Sequence, residues 1–412
     1  MKQELNAVTT NSIIVKKSLW SKMGPAFITS ALVLGPGSIT LSLKIGAIYD
    51  TQLIWTLVIA VLFMMVYTEM STRIGLATQA SFIDVMKQRW GKFAGVLIGV
   101  GAFLVTASFQ AGNAIGTGIA TSMVFGTQAN LWIVVMTALG ILLLFMKQFY
   151  AILEKLMLGL ILLMLLAFII TVILVKPSIG AIFSGFIPSF PDGSMGLVIA
   201  LFATSFSIVG AIYQSYLVRE KGWTIQDASS GMKESYLGIF ILGFISFLIM
   251  ISAATILKPQ GLVVNDASEM GAALEPLFGS WSTIVFMLGL FGASFSSMIG
   301  NATIGGSMLA DGIGFGYKLS NWPVKISIIL VMLFGSIVGL VFGQAPVNLI
   351  IFAQAITIIV VPFIAICILV VANDAKIMGQ LKNSLWKNIV GFLGLIVLIY
   401  LAINNVRNIF FS

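Results

Sequence analysis

The stretch LVLGPGSITLSLK, Leu32 to Lys44, sets Gly35-Pro36-Gly37 in the middle of an apolar run. Proline removes a backbone donor and clashes with the preceding turn, and the two glycines loosen what is left, so a helix breaks here. Lipid supplies no hydrogen bonds, so irregular backbone at membrane depth must face protein or a watery cavity. Carbonyls freed at such a break can coordinate cations, and the amides that open the next half-helix can hold anions. The break therefore reads as a ligand site built from backbone, with Gly35, Pro36, Gly37 and Ser38 at its centre.

The rest of the chain supports a membrane reading. Of 412 residues, 59% are hydrophobic and only 9% charged, whereas a soluble domain carries roughly a quarter charged residues. Apolar runs long enough to span a bilayer recur throughout. Their cores fall near 25–47, 52–72, 93–123, 130–147, 150–175, 195–218, 235–257, 281–310, 324–343, 346–372 and 388–406, which makes about eleven spans. Met1 to Lys22 is polar and basic and lacks the short apolar core of a cleavable signal. The single cysteine, Cys367, excludes an intrachain disulfide. A net charge of +8 would suit nucleic acid, but no soluble domain carries a basic face, so the bilayer and not nucleic acid is the expected partner. Alternating the loops with the N-terminus inside leaves only Lys176, Lys258 and Arg407 on the outer side, with Lys44 within a span. That asymmetry predicts a cytoplasmic N-terminus and a multi-pass protein of a prokaryotic plasma membrane.

A second interruption is expected in the sixth span, where ATSFSIVGAIYQS, Ala203 to Ser215, sets Gly210 among polar residues. Two interruptions five spans apart predict two inverted five-helix repeats with the ligand between the broken helices. The organisation expected is a cytoplasmic tail over 1–24, a first repeat over 25–175, a second over 195–372 and an extra span over 388–406. A plainer reading of Gly210 is a packing glycine of the kind common in membrane helices.

These segments resemble the NRAMP metal-ion transporter family, and the likeness runs through nearly the whole chain. GPGSITLSLKIGA resembles that family's first-span signature, STRIGLATQASFIDVMKQRWG its segment after the second span, and GFIPSFPDGS its connection before the sixth. ASEMGAALEPLFGSW and FAQAITIIVVPF, with Gln354, resemble the approach to span 8 and span 10. The resemblance implies an all-α membrane protein of the LeuT-type inverted-repeat fold with spans 1 and 6 discontinuous, a transporter and not an enzyme, with no cofactor.

The departures from the family pattern decide the chemistry expected. The family's first-span metal ligands, Asp and Asn, correspond to Gly35 and Ser38. Its span-6 carbonyl, thioether and following residues correspond to Thr204, Ser207, Ile208, Val209 and Gly210, and a later histidine to Gln214. The acids it links to proton movement in span 3 correspond to Gln110 and Asn113. The thioether that favours soft transition metals is missing, and the chain has no histidine. The 14 carboxylates all map to loops, tails or span ends, and Glu69, four residues before Arg73, reads as a surface or interfacial ion pair. A bare divalent ion without counter-charge is costly to bury.

Lys44 lies about 13 Å beyond Gly35 at 1.5 Å per residue, towards the outer mouth, where it either snorkels or biases the path into the site towards anions. The leading expectation is therefore a secondary transporter of a small anion, bicarbonate-like or a small carboxylate, with Ser38, Thr204 and Ser207 as hydroxyl donors. The alternatives are a divalent, magnesium-like cation carrier without proton coupling, and a transport-inactive sensor. GASFSSMIGNATIGGS in span 8 offers Ser296, Ser297, Asn301 and Thr303 as a sodium site, which would make sodium the coupling ion, or as ordinary interhelical hydrogen bonds.

Overall fold

A computed structural model describes residues 24–78, 80–263, 269, 279–342 and 361–410. Every regular element among them is helical. The elements are α1 (Pro25–Val33), α2 (Pro36–Tyr49), α3 (Ile54–Ala77), α4 (Phe82–Trp90), α5 (Lys92–Phe125), α6 (Ala129–Leu144), α7 (Phe149–Val175) and α8 (Ile179–Ser184). They continue as α9 (Met195–Ser205), α10 (Ile208–Glu220), α11 (Ala228–Ile256), α12 (Ser280–Gly312), α13 (Trp322–Phe342), α14 (Val361–Ala372), α15 (Ala375–Met378) and α16 (Leu385–Phe410). Eight described spans are long and apolar enough to cross a membrane, and two bent pairs raise this to ten. The shorter apolar helix α6 stands where the fourth expected span lies. The expected span over 346–372 is described only from Val361, and Gln354 lies outside the described residues.

The first break forms as the sequence dictates. Helices α1 and α2 meet at 59°, with Pro36 in the first turn of α2 and Gly35 as its N-cap in an extended conformation. The second break does not fall at Gly210. Helix α9 ends at Ser205 and α10 starts at Ile208, so the interruption is Phe206-Ser207 and Gly210 sits inside the first turn of α10. Two local causes place it there. Ser207 is the N-cap of α10 and its hydroxyl accepts from the Gly210 amide at 3.3 Å, the role for which serine is favoured. Phe206 is buried between Phe63 and Tyr67 of α3, with ring centroids 5.6 and 5.2 Å away.

Around the broken helices the remaining spans form a close-packed shell. Helix α12 runs along α5, and small residues let the two backbones touch. A side chain added at Gly99 of α5 would start 2.6 Å from the Met308 carbonyl oxygen of α12, which no Cβ tolerates. Helix α11 packs against α2 and α3, and α10 against α3. The lipid-facing surfaces of α6, α13 and α16 carry exposed large apolar side chains, as a bilayer-embedded shell requires.

One expectation about charge is corrected here. Glu69 and Arg73 are not at a surface: both are almost wholly buried. The Arg73 guanidinium holds Glu69 with two bonds, of 2.8 and 2.9 Å, and also reaches the Leu381 carbonyl and Asn383. Lys387 of α16 adds a third bond to Glu69 at 2.6 Å. The ion pair is a buried clasp between α3 and the connection into α16.

Candidate functional site

The two breaks face each other across a narrow cavity. It is lined by Val33, Gly35, Gly37 and Ser38 from the first break, and by Ala203, Thr204 and Ser207 from the second. Helix α5 adds Ser108, Phe109, Gly112 and Asn113, and α12 adds Asn301. Helices α1 and α9 end at this cavity and α2 and α10 begin at it. Carbonyl ends and amide ends of helices therefore both open onto it, and the first amides of a helix have no partner within the helix.

The polar side chains around the cavity have defined partners. Ser38 Oγ donates to the Val33 carbonyl at 3.4 Å, across the first break. Thr204 Oγ1 donates back along α9 to the Leu201 carbonyl at 3.0 Å. Asn113 Nδ2 donates to Gln110 Oε1 at 3.3 Å, and Gln110 Nε2 donates to the Met298 carbonyl of α12 at 2.7 Å. Where the family resemblance implies an acidic pair, Asn113 and Gln110 thus form a neutral amide link that ties the cavity wall to α12. Gly35 leaves little room: a Cβ there would lie 3.0 Å from Ser297 Oγ and 3.1 Å from Asn113 Oδ1.

Of the residues expected at the site, Gly35, Gly37, Ser38, Thr204, Ser207, Asn113 and Asn301 converge on the cavity. Pro36 shapes the break from behind, packed on Gly116 of α5. Gly210 and Val209 lie in α10, and Gly210 reaches the site only through its bond to Ser207. Gln214 is fully buried on α10 beside Thr29 of α1, with its amide 2.6 Å from the Thr29 hydroxyl. The positions matched to the family's proton route are thus not one continuous chain: Asn113 lines the cavity with Gln110 buried behind it against α12, and Gln214 lies behind α1. Lys44 is a partly buried residue of α2 outside the cavity lining.

The span-8 hydroxyls lie where the sodium expectation needs them, but they are engaged. Ser296 Oγ donates to the Ala31 carbonyl and Ser297 Oγ to the Leu32 carbonyl, each at 2.8 Å. Asn301 Nδ2 approaches the same Leu32 carbonyl at 3.5 Å. Thr303 takes no part, since its hydroxyl bonds Ile299 of its own helix. The Ala31 and Leu32 carbonyls near the end of α1 are thereby satisfied by α12.

Sequence reasoning missed Ser108, Phe109 and Gly112. They share a helical face with Asn113, and the spacing from that one polar residue was the signal that could have found them. Among the described residues, no three His, Cys, Asp or Glu side chains stand together as a metal-binding group. Buried acids do occur, but at the ends of helices. Glu234 Oε1 accepts from the Gly24 and Ala26 amides at the start of α1, at 2.7 and 3.0 Å. Asp311 accepts from the Tyr216 hydroxyl at 2.8 Å.

Comparison with known proteins gives this geometry its family. The model of the family "Natural resistance-associated macrophage protein-like" (Nramp) matches residues 26–407. The protein named divalent metal cation transporter MntH from Klebsiella pneumoniae is 25% identical over 402 residues, covering 96% of this chain and 95% of its own. Its namesake from Erwinia tasmaniensis is 26% identical, covering 94% of each chain. Among solved structures, a mutant of the Eremococcus coleocola manganese transporter superposes with a TM-score of 0.75 at 19% identity, over 95% of this chain and 88% of that one. MhsT in complex with L-phenylalanine matches at 0.58 and 14% identity, over 92% of this chain and 98% of that one. The fold is the LeuT-type one, with the discontinuous spans 1 and 6 meeting at the cavity, and the chain belongs to the Nramp family of membrane transporters.

Proposed function

We propose that this chain is a secondary carrier of a divalent metal cation, passed through the cavity with part of its water shell and without a relay of protons through side chains. The observation that carries this reading is a cavity, in a chain of the Nramp family, whose polar lining among the described residues is all hydroxyl, amide and backbone: Ser38, Ser108, Asn113, Thr204, Ser207 and Asn301. Oxygen donors suit hard cations, whereas a thioether would favour softer ones. Without a carboxylate the site cannot replace the whole hydration shell, which favours an ion such as magnesium that keeps several waters. The relatives named divalent metal cation transporters support the same class of substrate. This replaces the small anion as the leading reading, because two breaks with no acid between them are equally compatible with a hydrated cation and family membership tips the balance. The basic loops favour the N-terminus on the cytoplasmic side of a prokaryotic plasma membrane.

A second reading retains the anion. It rests on the N-termini of α2 and α10 opening on the cavity, with Lys44 further along α2. Proteoliposomes holding the purified chain separate the two. Uptake of magnesium or manganese, unchanged by removal of sodium and with no acidification of an enclosed pH dye, supports the cation reading. Uptake of bicarbonate or formate without any divalent flux selects the anion.

A further inference from the structure

A second cleft lies at the other end of α10 from the cavity. It is walled by the connection between α6 and α7, the connection between α12 and α13, and the end of α10. Four cations line it, Lys147, Arg219, Lys318 and Lys325, against one acid, Glu220. Arg219 is held in place by the Thr78 and Ala80 carbonyls and the Tyr317 hydroxyl. Its charge is therefore fixed and not borne on a waving side chain. Lys325 sits 5.3 Å above the Phe145 ring. The excess of positive charge calls for an anion. One feature narrows it: the Glu220 carboxyl lines the same cleft, an acceptor suited to a ligand that also brings a donor. The cleft borders the first turn of α13 through Lys325, and Trp322 of that turn packs on Phe145 of the cleft wall with ring centroids 5.7 Å apart. Trp322 stands at its rim, 64% exposed, as expected of a tryptophan at a membrane interface. Ile326, Leu330, Phe334 and Ile337 then follow as an exposed apolar stripe at helical spacing.

We propose that this cleft binds the headgroup of an anionic phospholipid: the phosphate among Lys147, Lys318 and Lys325, a headgroup hydroxyl on Glu220, and an acyl chain along the stripe of α13. A soluble phosphate ester offers the same phosphate and hydroxyl but leaves the stripe unused. The site is distinct from the transport cavity yet joined to it, because α10 runs from Ser207 at the cavity to Arg219 at the cleft. Lysine acetylation read by mass spectrometry tests it on the full chain in nanodiscs. With phosphatidylglycerol in place of phosphatidylcholine, labelling of Lys318 and Lys325 should fall about fivefold, while exposed Lys382 changes by less than about twofold. Glycerol 1-phosphate added to phosphatidylcholine discs should protect neither. Native mass spectrometry should find phosphatidylglycerol retained by the parent and lost from the folded triple variant Lys147→Gln, Lys318→Gln, Lys325→Gln. Equal protection of Lys382, retention by the triple variant, or full protection by glycerol 1-phosphate would each overturn the assignment to lipid.

Discussion

The cavity between the two breaks and the basic end of the molecule handle charge in opposite ways. At the cavity, polar side chains from four helices meet without one ionised group among them. At the basic end, charged groups are held by defined partners: Glu69 pairs with Arg73 and Lys387 and Glu154 with Lys221, Asp311 accepts from the Tyr216 hydroxyl while Lys87 donates to its main-chain carbonyl, and Glu234 accepts from the amides that open α1. The same helices supply both regions; α10 begins at the cavity with Ser207 and ends among these ions. Held charges clamp helix ends there, whereas among the described residues the cavity presents only dipoles. A buried pair is weak evidence of net stability, but breaking one by removing a partner is costly.

That contrast gives the largest expected effect. Glu69→Gln leaves Arg73 and Lys387 facing each other without their anion, and should destabilise the folded protein by about 3–5 kcal/mol. Thermal unfolding of the purified variant measures it, and a loss well under 1 kcal/mol would mean that the clasp is dispensable.

Moving a charge in the other direction sharpens the comparison. Gly35→Asp puts a carboxylate into the uncharged cavity at the first turn of α2, where an acid is favoured. Apparent affinity for manganese should rise about tenfold, equivalent to about 1.4 kcal/mol. Gly35→Ala is the control, because any Cβ there must push Ser297 and Asn113 aside by a few tenths of an ångström. Calorimetry on both variants separates the charge from the crowding.

Because no titratable side chain among the described residues lines the cavity, magnesium uptake should vary by less than about twofold between roughly pH 6 and 8. A hidden carboxylate ligand would announce itself by its sign, with uptake falling as pH drops through its pKa and the site loses charge. The smallest effect is expected from Ser297→Ala, which removes one donor from the Leu32 carbonyl and should cost about 1 kcal/mol of thermal stability. Uptake should stay independent of sodium in parent and variant alike. Sodium-dependent uptake abolished by this substitution would return α12 to the role of a sodium site.

The architecture was readable because its signals are local. Apolar windows mark the spans, and a proline between two glycines marks the first break in any context. The second break was misplaced because its cause is tertiary: Gly210 offers flexibility, but Phe206 is locked between two rings of α3, and that packing decides where the helix stops. Glu69 and Arg73 were visible as a pair four residues apart, whereas their burial depends on Lys387, 318 residues from Glu69. At the cavity, polar positions of the broken helices were legible, but Phe109 and Gly112 carry no chemistry that marks them as a wall. The substrate was hardest to read, since removing acids disfavours a bare metal ion without choosing between a hydrated cation and an anion.

The sign of the charge moved per turnover tests the central claim most directly. Magnesium uptake into proteoliposomes would be followed while a potassium gradient and valinomycin clamp the membrane potential. With a divalent cation carried and no proton returned, an inside-negative potential of about 100 mV adds about 2.3 kcal/mol of driving force per charge and should speed uptake several-fold. An inside-positive potential should slow it. Magnesium uptake that ignores the potential, or bicarbonate uptake accelerated by an inside-positive potential with no magnesium flux, would contradict the account.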